Sequence, residues 1–362
     1  MDELRRQAYQ NLIDSLLNCD NEEQNDILQA NLELIDDGFA QFLRREWATQ
    51  ILANLQEEKG FYYIIVLSGL HIGFYSLRQG SRASNLEVAI ACLEIGLTVI
   101  TREAYSEIFW AMFQNNLGLA YSDRIRGEKA ENLELAIYTF LASLEIYTRE
   151  EFPQNWAMTH NNLGNAYLYR IRWEKAKNLE KAIAAYLASL EIYTRKEFPF
   201  EWAKSKNNLG VAYRHRIRGE KAENLELAIA AYLASLEIYS PEAFPFEWAR
   251  SKNNLGLTYS DRIRGEKAEN LELAIAAYLA SLEVYSRQEF PLNGQGVKII
   301  WGLPTSTELE RKKPRIWNWR SRLFWHHWKF IPARHFPLNG QRLIIIWGLP
   351  TTTELEGKKE IT

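Results

Sequence analysis

Cysteine is almost absent: Cys19 and Cys92 are the only two in 362 residues, too few for a disulfide framework or a four-ligand zinc site. Proline and glycine, at 10 and 19, are too sparse, and hydrophobic residues, at 47%, too plentiful, for a disordered chain. Long apolar runs are missing as well. The longest, Phe61 to Tyr75, is broken by Ser68, two glycines and His71, and falls short of the ~20 residues that a spanning helix needs. No membrane segment is expected. An excess of positive charge is lacking too: the net charge is −3, which argues against a general nucleic-acid binder. The opening Met-Asp-Glu-Leu-Arg-Arg has no signal-peptide character, so the expected location is a reducing cytoplasm. No His-Glu-x-x-His motif and no phosphate-cradling glycine loop occurs. We therefore expect neither an enzyme nor a bound metal or cofactor.

What the chain does have is a repeat. Asn-Asn-Leu-Gly ends at Gly118, Gly164, Gly210 and Gly256, a spacing of 46 residues three times over. Trp110, Trp156, Trp202 and Trp248 precede it, each followed by Ala, and Tyr121, Tyr167, Tyr213 and Tyr259 follow it by three. An Arg-Ile-Arg triplet comes next, then Asn-Leu-Glu, then an Ala-rich run such as Asn224 to Tyr239. An eroded copy of the second half stands upstream, where Ser84 to Ile90 parallels Glu131 to Ile137.

Each unit reads as two helices. Trp202, Leu209 and Tyr213 fall on one stripe of a 3.6-residue period; Leu225, Ala228, Ile229, Tyr232, Leu233, Leu236 and Tyr239 form a second apolar face. A mid-helix glycine costs ~1 kcal/mol against alanine, so the recurring glycine predicts a close helix approach, with Ala228 and Ser235 as the matching small positions. Asn224 is expected to cap the second helix, and Phe244-Pro245 to close the unit.

Leu209-Gly210-x-x-Tyr213, then Ala228, Tyr232 and the small Ser235, resembles the tetratricopeptide repeat, whose usual period is ~34 residues; the longer period here lies in the loops. The resemblance covers roughly Ala83 to Pro291. The long-loop units, with the leader from Gln29 to Arg44 and the entry Gly80 to Glu87, further resemble the repeat region of bacterial CHAT proteins, in which such repeats precede a caspase-like protease domain. The resemblance implies an all-α, right-handed superhelical solenoid that binds a protein or peptide along its concave groove. A regulatory piece of such a protease, or a decayed gene product, is the alternative. The expected organisation is a helical leader over 1–60, a degenerate repeat over 61–106, the 46-residue repeats over 107–291 and a tail over 292–362. A protease would need a nucleophilic cysteine beside a histidine, whereas Cys19 and Cys92 read as small buried hydrophobes.

On the family pattern, Asn115, Asn161, Asn207 and Asn253 fall on the side of the first helix that lines the groove, where side-chain amides can both donate and accept. Lys204, Arg214 and Arg250 would add attraction for acids. The alternative, left open at this level, is that these asparagines hold the stack together. The arginines of the Arg-Ile-Arg triplets are expected to pair with neighbouring glutamates at helix ends.

The tail keeps the period but loses the residues. Phe290 to Gln295 recurs as Phe336 to Gln341, and Ile300 to Thr305 as Ile346 to Thr351. Asn208 to Tyr213 can be encoded AAT TTG GGG GTT GCC TAC, which reads from its second nucleotide as Ile-Trp-Gly-Leu-Pro-Thr, the residues at 300 to 305, two periods on. Glu223 to Ala230 shifts in the same way into Arg315 to Arg322. The tail is therefore expected to be the repeat read out of frame from about Leu292, and disordered. Its basic, tryptophan-rich stretch at 311 to 335 and its His326, His327 and His335 are then accidents of codons, not a nucleic-acid patch or a metal cluster. The last intact helix, uncapped near Ser286, would favour self-association.

Overall fold

The computed structural model describes residues 2–20, 23–53, 57–100 and 107–287, all within the unit Met1–Leu303. The tail at 292–362, its tryptophans and histidines, and the expected uncapped end lie outside the described residues.

Among the described residues all regular structure is helical. The leader comprises α1 (Glu3–Asn18), α2 (Glu23–Ala30), a 3-10 turn at Leu32–Leu34, and then α3 (Asp37–Phe42), which continues through a π-helical turn at Leu43–Trp47 into α4 (Ala48–Ala53). Asp2 and Asp36 start α1 and α3, each accepting a backbone N–H three residues on, from Arg5 at 2.7 Å and Phe39 at 2.8 Å. Tyr9, Phe39, Phe42 and Phe74 close the leader's core.

Five helix pairs follow: α5 (Glu57–Ser76) with α6 (Arg82–Val99), α7 (Glu107–Asp123) with α8 (Lys129–Leu144), α9 (Pro153–Tyr169) with α10 (Lys175–Ile192), α11 (Pro199–His215) with α12 (Lys221–Leu236), and α13 (Pro245–Asp261) with α14 (Lys267–Arg287). Each pair packs on the next, giving an all-α solenoid of two-helix repeats. Pro153, Pro199 and Pro245 sit in the first turn of their helices, where a missing N–H costs nothing. Besides closing a unit, then, the Phe-Pro step opens the next.

The recurring glycine does mark a close approach, but the ring of a tyrosine or phenylalanine, not a small residue, makes it. A Cβ on Gly118, Gly164, Gly210 or Gly256 would stand 2.7, 2.6, 2.8 or 3.0 Å from Phe140, Tyr186, Tyr232 or Tyr278. Ser235 instead faces the next repeat, its Oγ 3.3 Å from that of Ser251. Leu233, placed by periodicity on the apolar face, is exposed with Leu227 on the outer side of α12.

Asn224 is not the N-cap. Glu220 holds that position, and Asn224, buried one turn inside α12, donates its Nδ2 back to the carbonyl of Arg218 at 2.8 Å. Asn132, Asn178 and Asn270 make the same bond to Arg126, Arg172 and Arg264. The loop so tied needs one left-handed residue: Gly127, Gly219 and Gly265 take φ of 73°, 75° and 79°, and in the remaining unit Trp173 takes 71°.

Candidate functional site: the open face of the first helices

First helices of adjoining repeats touch one another, α5 with α7, α7 with α9, α9 with α11 and α11 with α13. They form one continuous layer. Its outward positions recur at spacings of four and three, one face of each helix: Met158, Asn162 and Asn165 on α9; Lys204, Asn208 and Val211 on α11; Arg250, Asn254 and Leu257 on α13. All are exposed or half-buried.

Asn115, Asn161, Asn207 and Asn253 are turned inward from that face. Asn207 is only 1% exposed, and the other three are equally part of the interior. The amides of Asn115, Asn161 and Asn207 are engaged between repeats. Asn161 donates to Ser205 Oγ at 2.7 Å and accepts from Asn208 Nδ2 at 3.2 Å; Asn115 accepts from Thr159 Oγ1 at 3.2 Å and from Asn162 Nδ2 at 3.3 Å; Asn207 accepts from Ser251 Oγ at 3.0 Å. For Asn253 the matching position, Val297, lies outside the described residues. Asn115, Asn161 and Asn207 are thus struts, and the half-exposed Asn162 and Asn208 join two of them to the open face.

A buried amide that loses its partners costs about 1–3 kcal/mol, against about 1 kcal/mol for an ordinary hydrogen bond. Asn161→Ala is therefore expected to destabilise the stack by about 2 kcal/mol, and Asn208→Ala, where water can replace the lost bond, by less than about 1 kcal/mol. Urea unfolding of both variants, followed by circular dichroism, checks the order; equal losses would contradict it.

Lys204 and Arg250 stand exposed at one repeat position, 46 residues apart. The surrounding helices nevertheless desolvate the Lys204 ammonium, and Arg250 adds repulsion, so its pKa lies below the ordinary lysine value, with Glu201 acting weakly the other way. Arg214 is committed elsewhere: its Nη2 donates to Asp261 of the next repeat at 2.9 Å.

The remaining repeat residues are buried or half-buried. Tyr121 and Tyr167 are buried, Tyr213 and Tyr259 half-buried. Half-buried Trp156 packs 4.4 Å from the His160 ring, while Lys206 and Lys252 sit 5.6 and 5.5 Å over Trp202 and Trp248, one helical turn on. The first arginine of each triplet reaches back to the preceding second helix: Arg124, Arg170, Arg216 and Arg262 each grip both oxygens of Glu87, Glu134, Glu180 and Glu226. These bonds hold the carboxyls of Glu134, Glu180 and Glu226 below the usual range. Sequence spacing anticipates glutamate partners, but not that they lie one repeat back.

Cys92 is fully buried and its thiol is pushed up to about 12 by desolvation; Cys19 is half-buried. No cluster of three or more metal-ligating side chains occurs among the described residues, and no helix there is long and apolar enough to cross a membrane. No protein-family model matches the chain, and no curated protein matches it.

Proposed function

We propose that this chain is a scaffold of the tetratricopeptide type that binds a partner protein or peptide along the open face of α9, α11 and α13. The observation that carries the reading is the continuous layer of first helices bearing Lys204 and Arg250 at equivalent, exposed positions, beside half-buried amides and the apolar Met158, Val211 and Leu257. Such a surface offers hydrogen bonds to a peptide backbone, apolar contact for its side chains and attraction for acidic groups. The rigidity comes from beneath: the Asn161–Ser205 and Asn207–Ser251 bonds fix the spacing of neighbouring helices, so the face is preorganised, which lowers the cost of binding.

Peptides selected from a random display library on the whole protein should lose about tenfold or more in affinity on K204E/R250E, since charge reversal on one surface opposes any acidic ligand. Selected binders that keep full affinity for this variant would contradict the reading.

A further inference from the structure

Because the repeats are nearly identical, the places where one of them departs are informative. The edge formed by the loop between first and second helix and the opening turns of the second helix reads Arg-Ile-Arg-Gly-Glu-Lys-Ala-Glu in three units and Arg-Ile-Arg-Trp-Glu-Lys-Ala-Lys in the fourth. Trp173 replaces the glycine of Gly127, Gly219 and Gly265; Lys177 replaces Glu131, Glu223 and Glu269; Lys181 replaces Leu135, Leu227 and Leu273. Three departures fall in one nine-residue span of α9 to α10.

They also meet in space. Lys177 and Lys181 lie one turn apart on α10. Arg170, while gripping Glu134, has its guanidinium 5.6 Å from the Trp173 ring and 5.8 Å from that of Tyr167, and the Lys181 ammonium lies 5.2 Å over the same Tyr167 ring. Trp173 is 75% exposed, and Ile171 beside it is exposed too. Left-handed backbone disfavours any side chain with a Cβ, and here it carries a tryptophan pointing at solvent. Folding would be better served by the glycine that the other units use. Strain of this kind clusters at functional sites.

The charges are only partly answered within the chain. Lys177 pairs with Glu174 at 2.9 Å and Arg172 approaches Glu131 only to 3.6 Å, while Lys181 faces an aromatic ring. In the other three units the twelve positions from the first arginine hold three cations and three glutamates; from Arg170 to Lys181 they hold five cations and two glutamates. We infer that Ile171, Arg172, Trp173, Lys177 and Lys181 form a second docking site, on the loop edge and separate from the open face, for a short acidic peptide segment that carries an apolar side chain. Trp173 and Ile171 supply the anchor and the three cations the complementarity; tryptophan and arginine are among the residue types that dominate binding hot spots. Single-stranded nucleic acid, the other ligand of basic aromatic surfaces, fits less well. Its regularly spaced phosphates would run on to the exposed Glu128 and Glu131 on one side and Glu220 and Glu223 on the other.

The test restores the repeat's own residues. W173G/K177E/K181L removes the site while giving each position what three other units fold with, so its helical signal should match wild type and its unfolding midpoint should not fall. Binding of a fluorescein-labelled octaglutamate peptide with a central leucine is measured by anisotropy on the whole protein, in wild-type and K204E/R250E backgrounds. The restored variant should bind about tenfold or more weakly in both backgrounds, whereas a loss seen only with K204E/R250E belongs to the open face and its proposed function. The inference is overturned if the restored variant binds as tightly as its parent, if neither parent binds, or if oligothymidine of equal charge binds more tightly than the peptide.

Discussion

Tyr232→Ala is expected to destabilise the repeat stack by about 3–5 kcal/mol, the range for removing a fully buried aromatic side chain. Tyr232 is 1% exposed, and its ring fills the space that Gly210 leaves on α11. The helix around Gly210 accepts a residue of poor helix propensity because the ring gains full burial there. Truncation loses that burial and leaves a void between α11 and α12. The glycine then becomes a liability, and that supplies a sharper prediction than the loss itself. In wild type, Gly210→Ala sets a Cβ 2.8 Å from the ring, and overpacking of about 1–3 kcal/mol outweighs the ~1 kcal/mol that alanine gains in a helix. In the Tyr232→Ala background the same change should stabilise by about 1 kcal/mol. A double-mutant cycle in urea reads the reversal of sign; a Gly210→Ala effect of the same sign in both backgrounds would refute the packing account.

Acid should act first at the start of the solenoid. His71 on α5 is 5% exposed, its Nδ1 has no hydrogen-bond partner among the described residues, and desolvation pushes its pKa down to about 4. The unfolded chain takes up this proton near pH 6.5 while the folded chain refuses it until about pH 4. Stability is therefore lost as pH falls from 6.5 to 4, by up to about 3 kcal/mol, because each tenfold difference in proton affinity between the two states is worth about 1.4 kcal/mol. Burial lowers the pKa of His160 as well, and burial with Arg214, Lys175 and Lys221 that of His215, so both act in the same direction. The glutamates held down by arginine contribute lower still: their stabilisation is present above the ordinary glutamate pKa and is lost as pH falls through the depressed values. His71→Leu should flatten the urea midpoint between pH 6.5 and 4; an unchanged slope would show that the imidazole is not the responsible group.

Much of the fold is legible because the units repeat. One period, read four times, separates positions that serve packing from those that vary. Periodicity does not distinguish the two sides of a second helix that are both apolar, which is why it places Leu233 inside although the side chain lies outside. Nor does it locate α5 as the first helix of its pair. That helix lacks Asn-Asn-Leu-Gly, and His71, as far before Asn85 as Gly118 is before Asn132, occupies the place of the glycine. Leu93 holds the sequence position that Phe140 holds in the next unit.

The asparagine ladder shows where spacing runs out. A residue one step before a groove position and a residue in the groove differ by about 100° around the helix, and family pattern alone does not say which of two adjacent asparagines turns inward. The serine or threonine 44 residues on, Thr159, Ser205 and Ser251, is the available signal. The departures at Trp173, Lys177 and Lys181 are equally visible, but their meaning depends on Trp173 being exposed with left-handed backbone.

The most direct test of the open face as the binding surface is to place a photo-crosslinking amino acid at Asn208, on α11, or at Ala230, exposed on the outer side of α12, and to irradiate each protein with a peptide selected on wild type. The account predicts a peptide adduct from position 208 and none from 230. Adducts from 230 alone, or equally from both, would contradict it.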